Sequence, residues 1–267
     1  MAACKGFIPL VIAALLGTAT PALAWGPTGH RASSKIAEAY LTPTARKHIT
    51  AIIGAESLAQ ASTWADEMRS NPAPYWRKIA PPLHYVTVPP GQSYAEVGAS
   101  PKGDAVTALA GFKRTLLNPA SSLSEQLLAL RFTIHIIADL HQPLHVGNGS
   151  DRGGTQVSVK LMGKRSDLHS VWDSGMIKQR ELSYSEWAQW LGREITEQDV
   201  KRWSEPDPLV WIAESASLRE GIYPAEKSLS WPYLYAHMPA VQLRLKQSGV
   251  RLAAYLNWLW AQYELQR

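Results

Sequence analysis

The chain has 267 residues, 46% of them hydrophobic and 18% charged, with a formal net charge of +5 and an isoelectric point near 9.3. Its single cysteine, Cys4, excludes an intrachain disulfide framework. The positive balance favours acidic partners such as nucleic acid, anionic lipid headgroups and phosphate esters, without choosing among them.

Lys5 precedes an apolar run from Gly6 to Leu16, and Ala22-Leu23-Ala24 supplies a small-residue cleavage site, so residues 1–24 read as an export signal. The run is shorter than the roughly 20 apolar residues that a spanning helix needs, so no membrane anchor is expected. Cutting after Ala24 would remove Cys4 and Lys5 and make Trp25 the new chain end. A free α-amino group, with a pKa near ~7.7–8.0, is partly neutral at pH 7 and can bind a metal together with its own carbonyl. In a chain without disulfides a metal centre would be the available staple. Residues 25–267 show no linker, repeat or low-complexity tract and are expected to form one domain, secreted or periplasmic.

Helical periodicity dominates that domain. Ile36, Ala37, Tyr40 and Leu41 give one apolar face, and Thr42-Pro43 reads as the cap and first turn of a helix ending at Gly54. Ser57 to Arg69 is expected as a third helix, Asp104 opens another to about Asn118, and Ser122 or Ser124 opens the next to about His141. That last segment is apolar on nearly every face and should be the buried centre. Strand signals are few: His84 to Val88 and Thr155 to Leu161, the latter after a turn-rich Gly147–Gly154 stretch, which predicts a small β-hairpin. Ser185 to Glu194, Pro208 to Arg219 and Ala236 to Glu264 favour helix again, with a break expected near Gly249. The fold class is therefore mainly α.

His135 and Asp139 stand four residues apart and so project from one face of the central helix. An unpaired imidazole and carboxylate in an apolar element would be costly; a buried hydrogen-bonded pair or a metal ion would each remove that cost. His169 and Asp173 repeat the spacing, and His145 follows a Gln142-Pro143 helix stop that could turn it back towards the same place. Imidazole and carboxylate without sulfur suit zinc among other divalent ions, and close-set metals form a clamp for phosphoryl chemistry.

The segments WGPTGH from Trp25, TWADEMR, LHYV, HIIADLHQPLH and DLHSVWD, with looser matches at WIAES from Trp211 and at Gly249-Val250-Arg251-Leu252, resemble the zinc-dependent S1/P1 nuclease family, in the manner of its bacterial members. The resemblance implies a single compact multi-helix domain of the phospholipase C/P1 nuclease type holding three Zn2+. One ion would be held by Asp66, His84, His135 and Asp139, a second by His145, His169 and Asp173, and a third by the chain end of Trp25 with His30 and Asp139, which would then bridge. It implies hydrolysis of single-stranded DNA and RNA to 5′-phosphate products with 3′-nucleotidase activity on nucleotides: water oriented by Asp66 attacks phosphorus in line and expels the 3′ oxygen. Arg69 would hold phosphate, and Tyr85 would stack on a nucleobase. Thr87 stands where some fungal members carry a base-reading aspartate, so base preference does not carry over. A monomer is expected.

Two other readings bear on the same residues. Zinc-dependent phospholipase C enzymes resemble the same trimetal fold, but they place a glutamate as last ligand at a shorter interval than Asp173. A noncatalytic secreted zinc binder would need the ligands but not Arg69 and Tyr85. His141 is expected to support the ligands or lie at the surface, and His48 and His237 to be ordinary exposed or packed histidines.

Overall fold

The structure, a computed structural model, describes residues 25–265; the expected export signal lies outside them. Helices make up most of the chain and the strands are short. At the centre is Leu123–Asp139, opened by Ser122, whose side chain accepts from the Glu125 amide while Glu125 reaches back in a reciprocal capping box. From Ala129 to Asp139 this helix is almost wholly buried, as its all-round apolar sequence requires. It straddles two core clusters: Phe132, Ile134, Ile136 and Ile137 enter one, with Leu109, Trp211 and Leu256, while Ala138 enters the other, with Trp25, Leu168, Trp172 and Leu245.

Several expected boundaries hold closely. Thr42 caps Pro43–Ile53, Asp104 caps Ala105–Leu117, and Pro208–Glu220 starts with proline in its first turn. The expected helix from Ser185 begins one residue earlier, as Tyr184–Glu194, because Ser183 is its cap. The small hairpin is present as Ser158–Leu161 against Lys164–Asp167, joined through Met162 and Gly163, both at positive φ, and flanked by Ser228–Leu229 in parallel.

Three expectations are corrected. Ser57–Arg69 is not one helix but two short turns, Leu58–Ala61 and Trp64–Glu67, followed by a 3-10 turn, Met68–Ser70. The Ser62 and Thr63 hydroxyls take the Ala59 and Gln60 carbonyls at 2.8 and 3.2 Å, competing with the helical ladder. The strand expected from His84 shrinks to Val86–Thr87, which pairs in parallel with Val146–Gly147, and His84 itself ends a 3-10 turn begun by Pro81. Gly249 does not break the C-terminal helix, which runs unbroken over Trp231–Leu265. A Cβ at Gly249 would lie 2.6 Å from Ile36 Cγ2 and 2.8 Å from the Ser33 carbonyl. The glycine therefore lets this helix press against Pro27–Ala37, the helix that carries His30.

Candidate metal centre

All eight side chains expected as ligands converge. Mutually close donor atoms form three groups that could hold metal ions: His30 with Asp66 and His135, His84 with His135 and Asp139, and His145 with His169 and Asp173. All but Asp66 are buried.

The central helix supplies the hub. Its i, i+4 spacing puts His135 Nε2 3.2 Å from Asp139 Oδ2, and His84 Nδ1 reaches that same oxygen at 3.1 Å. Asp139 Oδ1 instead faces His30 Nε2 at 3.3 Å. The two oxygens of one carboxylate thus address different partners, as a bridging ligand must. The His30 ring stacks on His135, with centroids 4.0 Å apart.

The other group is built on irregular backbone. His169 lies in the short turn Leu168–Ser170 and Asp173 in the π-helical turn Val171–Gly175, yet the two still meet, Nε2 to Oδ2, at 3.0 Å. Gln142, buried beyond the end of the central helix, donates from Nε2 to Asp173 Oδ1 at 2.5 Å and accepts the Leu144 amide through Oε1. The Gly26 amide donates to the Asp173 carbonyl at 2.6 Å, tying the segment next to Trp25 to this group. The Trp25 side chain itself is buried in the second core cluster.

Backbone carbonyls set the imidazoles. His135 Nδ1 meets the Ser62 carbonyl at 2.6 Å, His145 Nδ1 the His84 carbonyl at 2.8 Å and His169 Nδ1 the Gly153 carbonyl at 2.6 Å. A carbonyl only accepts, so each Nδ1 carries the proton and each Nε2 is left to face the site. His84 is turned the other way and presents Nδ1.

The donor set fits a metal. His30 Nδ1 and His145 Nε2 are buried and form no hydrogen bond among the described residues, while Asp139 Oδ1 and Asp173 Oδ2 face only imidazole nitrogens, at 3.3 and 3.0 Å. Such a concentration of unbonded polar atoms in one place would be costly without a ligand. The electrostatics agree. Burial opposes charge on His135, but the Asp139 and Asp66 carboxylates outweigh it and push that imidazole up to about 9; Asp173 acts likewise on His169, also up to about 9. Burial drives His145 down to about 3 and Asp173 up to about 7, and His135 and His145 hold Asp139 well below the carboxylate range despite its burial. Protons here stand where cations would sit.

At the rim, Arg69 Nη2 lies 3.1 Å from Asp66 Oδ1, and Tyr85, directly after His84, is 46% exposed. His141 is fully buried rather than at the surface: Nδ1 donates to the Ile137 carbonyl at 2.6 Å, Nε2 lies 3.4 Å from Arg251 Nη1, and it belongs to no donor group. His48 pairs with Glu264 and stacks on Trp260, and His237 lies against Tyr233 and Trp172; neither belongs to a donor group.

Sequence reasoning missed the support behind the ligands. Along one face of Pro208–Glu220, Ser215 Oγ donates to the Leu140 carbonyl at 2.6 Å, and Arg219 Nη1 donates to the Val88 and Val146 carbonyls at 2.9 and 2.5 Å. Arg219 thereby joins the two strands that leave His84 and His145. Arg244 reaches the His141 carbonyl, and Glu214 binds both Arg244 and Arg251 at 2.6 Å. These cations lie beyond the C-terminus of the central helix, where positive charge complements its dipole. The WIAES stretch and the Gly249–Leu252 region, which holds Arg251, were the signals of this brace.

The S1/P1 Nuclease family model matches residues 25–261. Among curated proteins, Endonuclease 2 of Arabidopsis thaliana is 32% identical over 87% of this chain and 89% of its own length. Nuclease S1 of Aspergillus oryzae is 28% identical over 94% and 97%, and Nuclease P1 of Penicillium citrinum 27% over 87% and 97%, respectively. With the match spanning nearly all of the described chain, this protein belongs to the S1/P1 nuclease family.

Proposed function

We propose that the protein is a zinc-dependent phosphodiesterase that hydrolyses single-stranded DNA and RNA to 5′-phosphate products and also acts as a 3′-nucleotidase. The observation that carries this reading is the convergence of eight nitrogen and oxygen donors, seven of them buried, with Arg69 and the exposed Tyr85 beside them. Three Zn2+ are inferred, divided as the family resemblance implies, with Asp139 shared. When bound they would supply Lewis-acid polarisation of the phosphate and a nucleophile at neutral pH.

The chain's own residues would do the rest. Asp66, at the rim beside Arg69, orients the attacking water in line with the P–O3′ bond. Arg69 offers a planar fork to the non-bridging phosphate oxygens as charge gathers there. The water oxygen bonds to phosphorus and gives up a proton, the P–O3′ bond breaks, and the leaving 3′ oxygen takes up a proton in turn. Tyr85 gives a base-tolerant stacking platform worth about 1–3 kcal/mol per base. Thr87, exposed next to it, offers a hydroxyl where a carboxylate would read a base edge.

We also propose cleavage after Ala24, export, and a metal-ligating Trp25 amino group; the family match begins at Trp25, in keeping with this reading. A chain carrying one extra residue ahead of Trp25 should bind one zinc fewer; full zinc content by elemental analysis would refute the chain-end ligand. No described helix is long and apolar enough to cross a membrane.

The deciding experiment is hydrolysis of single-stranded DNA, RNA and phosphatidylcholine side by side, with chelation and zinc restoration. Release of 5′ nucleotides that zinc restores, with lipid intact, is expected. Cleavage of lipid alone would replace the nuclease reading with a phospholipase one, and no hydrolysis at all would leave a metal-binding protein.

A further inference from the structure

The loop ahead of the hairpin contains an arrangement that the proposed chemistry does not use directly. Arg152, Gly153 and Gly154 have φ of +54°, +61° and +81°, three successive left-handed residues. They turn the peptide between Gly153 and Gly154 so that both its ends are engaged. Its carbonyl, on Gly153, accepts from His169 Nδ1 at 2.6 Å. Its N–H, on Gly154, donates to Asp151 Oδ1 at 2.9 Å. The other oxygen, Asp151 Oδ2, accepts the Tyr223 hydroxyl at 2.6 Å and Asn148 Nδ2 at 3.2 Å. Tyr223 comes just after the Pro208–Glu220 helix, and burial together with Asp151 raises its phenol above the ordinary range, so it remains a proton donor.

A metal-binding histidine commonly passes its second N–H to a carboxylate, which fixes the tautomer and makes the ligating nitrogen more basic. At His169 the carboxylate stands one peptide unit away. An anion on the N–H of an amide draws electron density onto its carbonyl, so that carbonyl becomes a better acceptor. His135 differs: its carbonyl partner belongs to Ser62, and the N–H of that peptide, on Thr63, goes to the neutral Gln60 carbonyl at 3.3 Å. We propose that Asp151, acting through the Gly153–Gly154 peptide, is the positioning carboxylate of His169, and that Tyr223 holds Asp151 in place for it. The inference rests on the metal-centre reading above and names what makes the His145–His169–Asp173 group competent.

The test uses the full chain with zinc as probe, in Tyr223→Phe, Asp151→Asn, the double variant and His169→Ala. Two readouts are taken: zinc retained per chain against graded chelator, and the imidazole 15N–1H signal of His169 Nδ1. In both single variants one zinc ion should be lost at about 10- to 100-fold lower chelator than in the parent, with the remaining zinc unaffected and the Nδ1–H signal displaced. The double variant should be no weaker than Asp151→Asn alone, because both changes cut one line. An unchanged helix content and metal-free melting temperature in Tyr223→Phe would mark the effect as positioning. If that melting temperature falls, the Nδ1–H signal decides, and an undisplaced signal overturns the proposal. It is also overturned if both single variants hold zinc like the parent while His169→Ala loses one ion, or if the two changes add. Should His169→Ala itself keep all its zinc, the ligand assignment fails rather than the relay.

Discussion

The two halves of the metal centre are built differently. Around Asp139 three of the donors hang on regular helices, His135 and Asp139 on Leu123–Asp139 and His30 on Pro27–Ala37, pressed close by Gly249, while Asp66 and His84 come from short turns. Around Asp173 they hang on a 3-10 turn, a single α-helical turn and a π-helical turn, with a loop of left-handed residues behind His169. The helical half obtains its geometry from the 3.6-residue period and from core packing. The irregular half obtains it from individual hydrogen bonds by Gln142, Gly153 and Asp151, so single substitutions should disturb it selectively.

The largest effect should come from Asp139→Asn, since both oxygens of this side chain are in use. Loss of more than one zinc ion and of nearly all hydrolysis is expected, beyond any other ligand change; residual zinc equal to that of His30→Ala would show that Asp139 does not bridge. Gly153→Ala should separate the halves. A Cβ there would run into the Leu144 carbonyl, and φ of +61° disfavours a side chain. Strain of about 1–3 kcal/mol is expected, with loss of zinc from the His145–His169–Asp173 group and retention around Asp139, read by elemental analysis.

Glu214→Gln probes the brace behind the helical half. Burial would raise the Glu214 pKa, but Arg251 and Arg244 outweigh it and hold it below the carboxylate range. Breaking a fully buried pair costs about 3–5 kcal/mol, and with the Glu214 side chain 37% exposed about 2 kcal/mol is expected by denaturant titration. Because the folded pKa is depressed, this stabilisation is complete above the unfolded value near ~4.3 and is lost as pH falls through the folded one. The gap between parent and variant should therefore close in acid; a gap that widened there would contradict the ion-pair account. The smallest effect belongs to Tyr85→Ala, which touches neither half. Zinc content should stay complete while KM for single-stranded substrates rises about 5- to 150-fold, the range set by loss of one stacked base.

The contrast also explains what could be read from the chain alone. The i, i+4 pairs, the capped helix starts at Thr42, Asp104 and Ser122 and the apolar central helix are local patterns, and they appear where expected. The breaking of Ser57–Arg69 depended on hydroxyls competing for local carbonyls, which leaves the Ser62 carbonyl for His135. Gly249 looked like a breaker because its use, contact with Ser33 and Ile36 over two hundred residues away, is not a local property. Gln142, Arg219 and Tyr223 gave no signal as supports, since their partners are main-chain atoms or distant side chains that only the fold brings near.

Three imidazoles of the donor groups lean on main-chain carbonyls, those of Ser62, His84 and Gly153. A side-chain prop disappears with one mutation, whereas every residue type brings a carbonyl. Sequence drift at Ser62 leaves the contact intact as long as the backbone keeps its path, whereas Gly153, at positive φ, and His84, itself in a donor group, are constrained for other reasons. Where a carbonyl is the prop, the outer layer of this centre is thus set by the path of the backbone and not by the letter at that position.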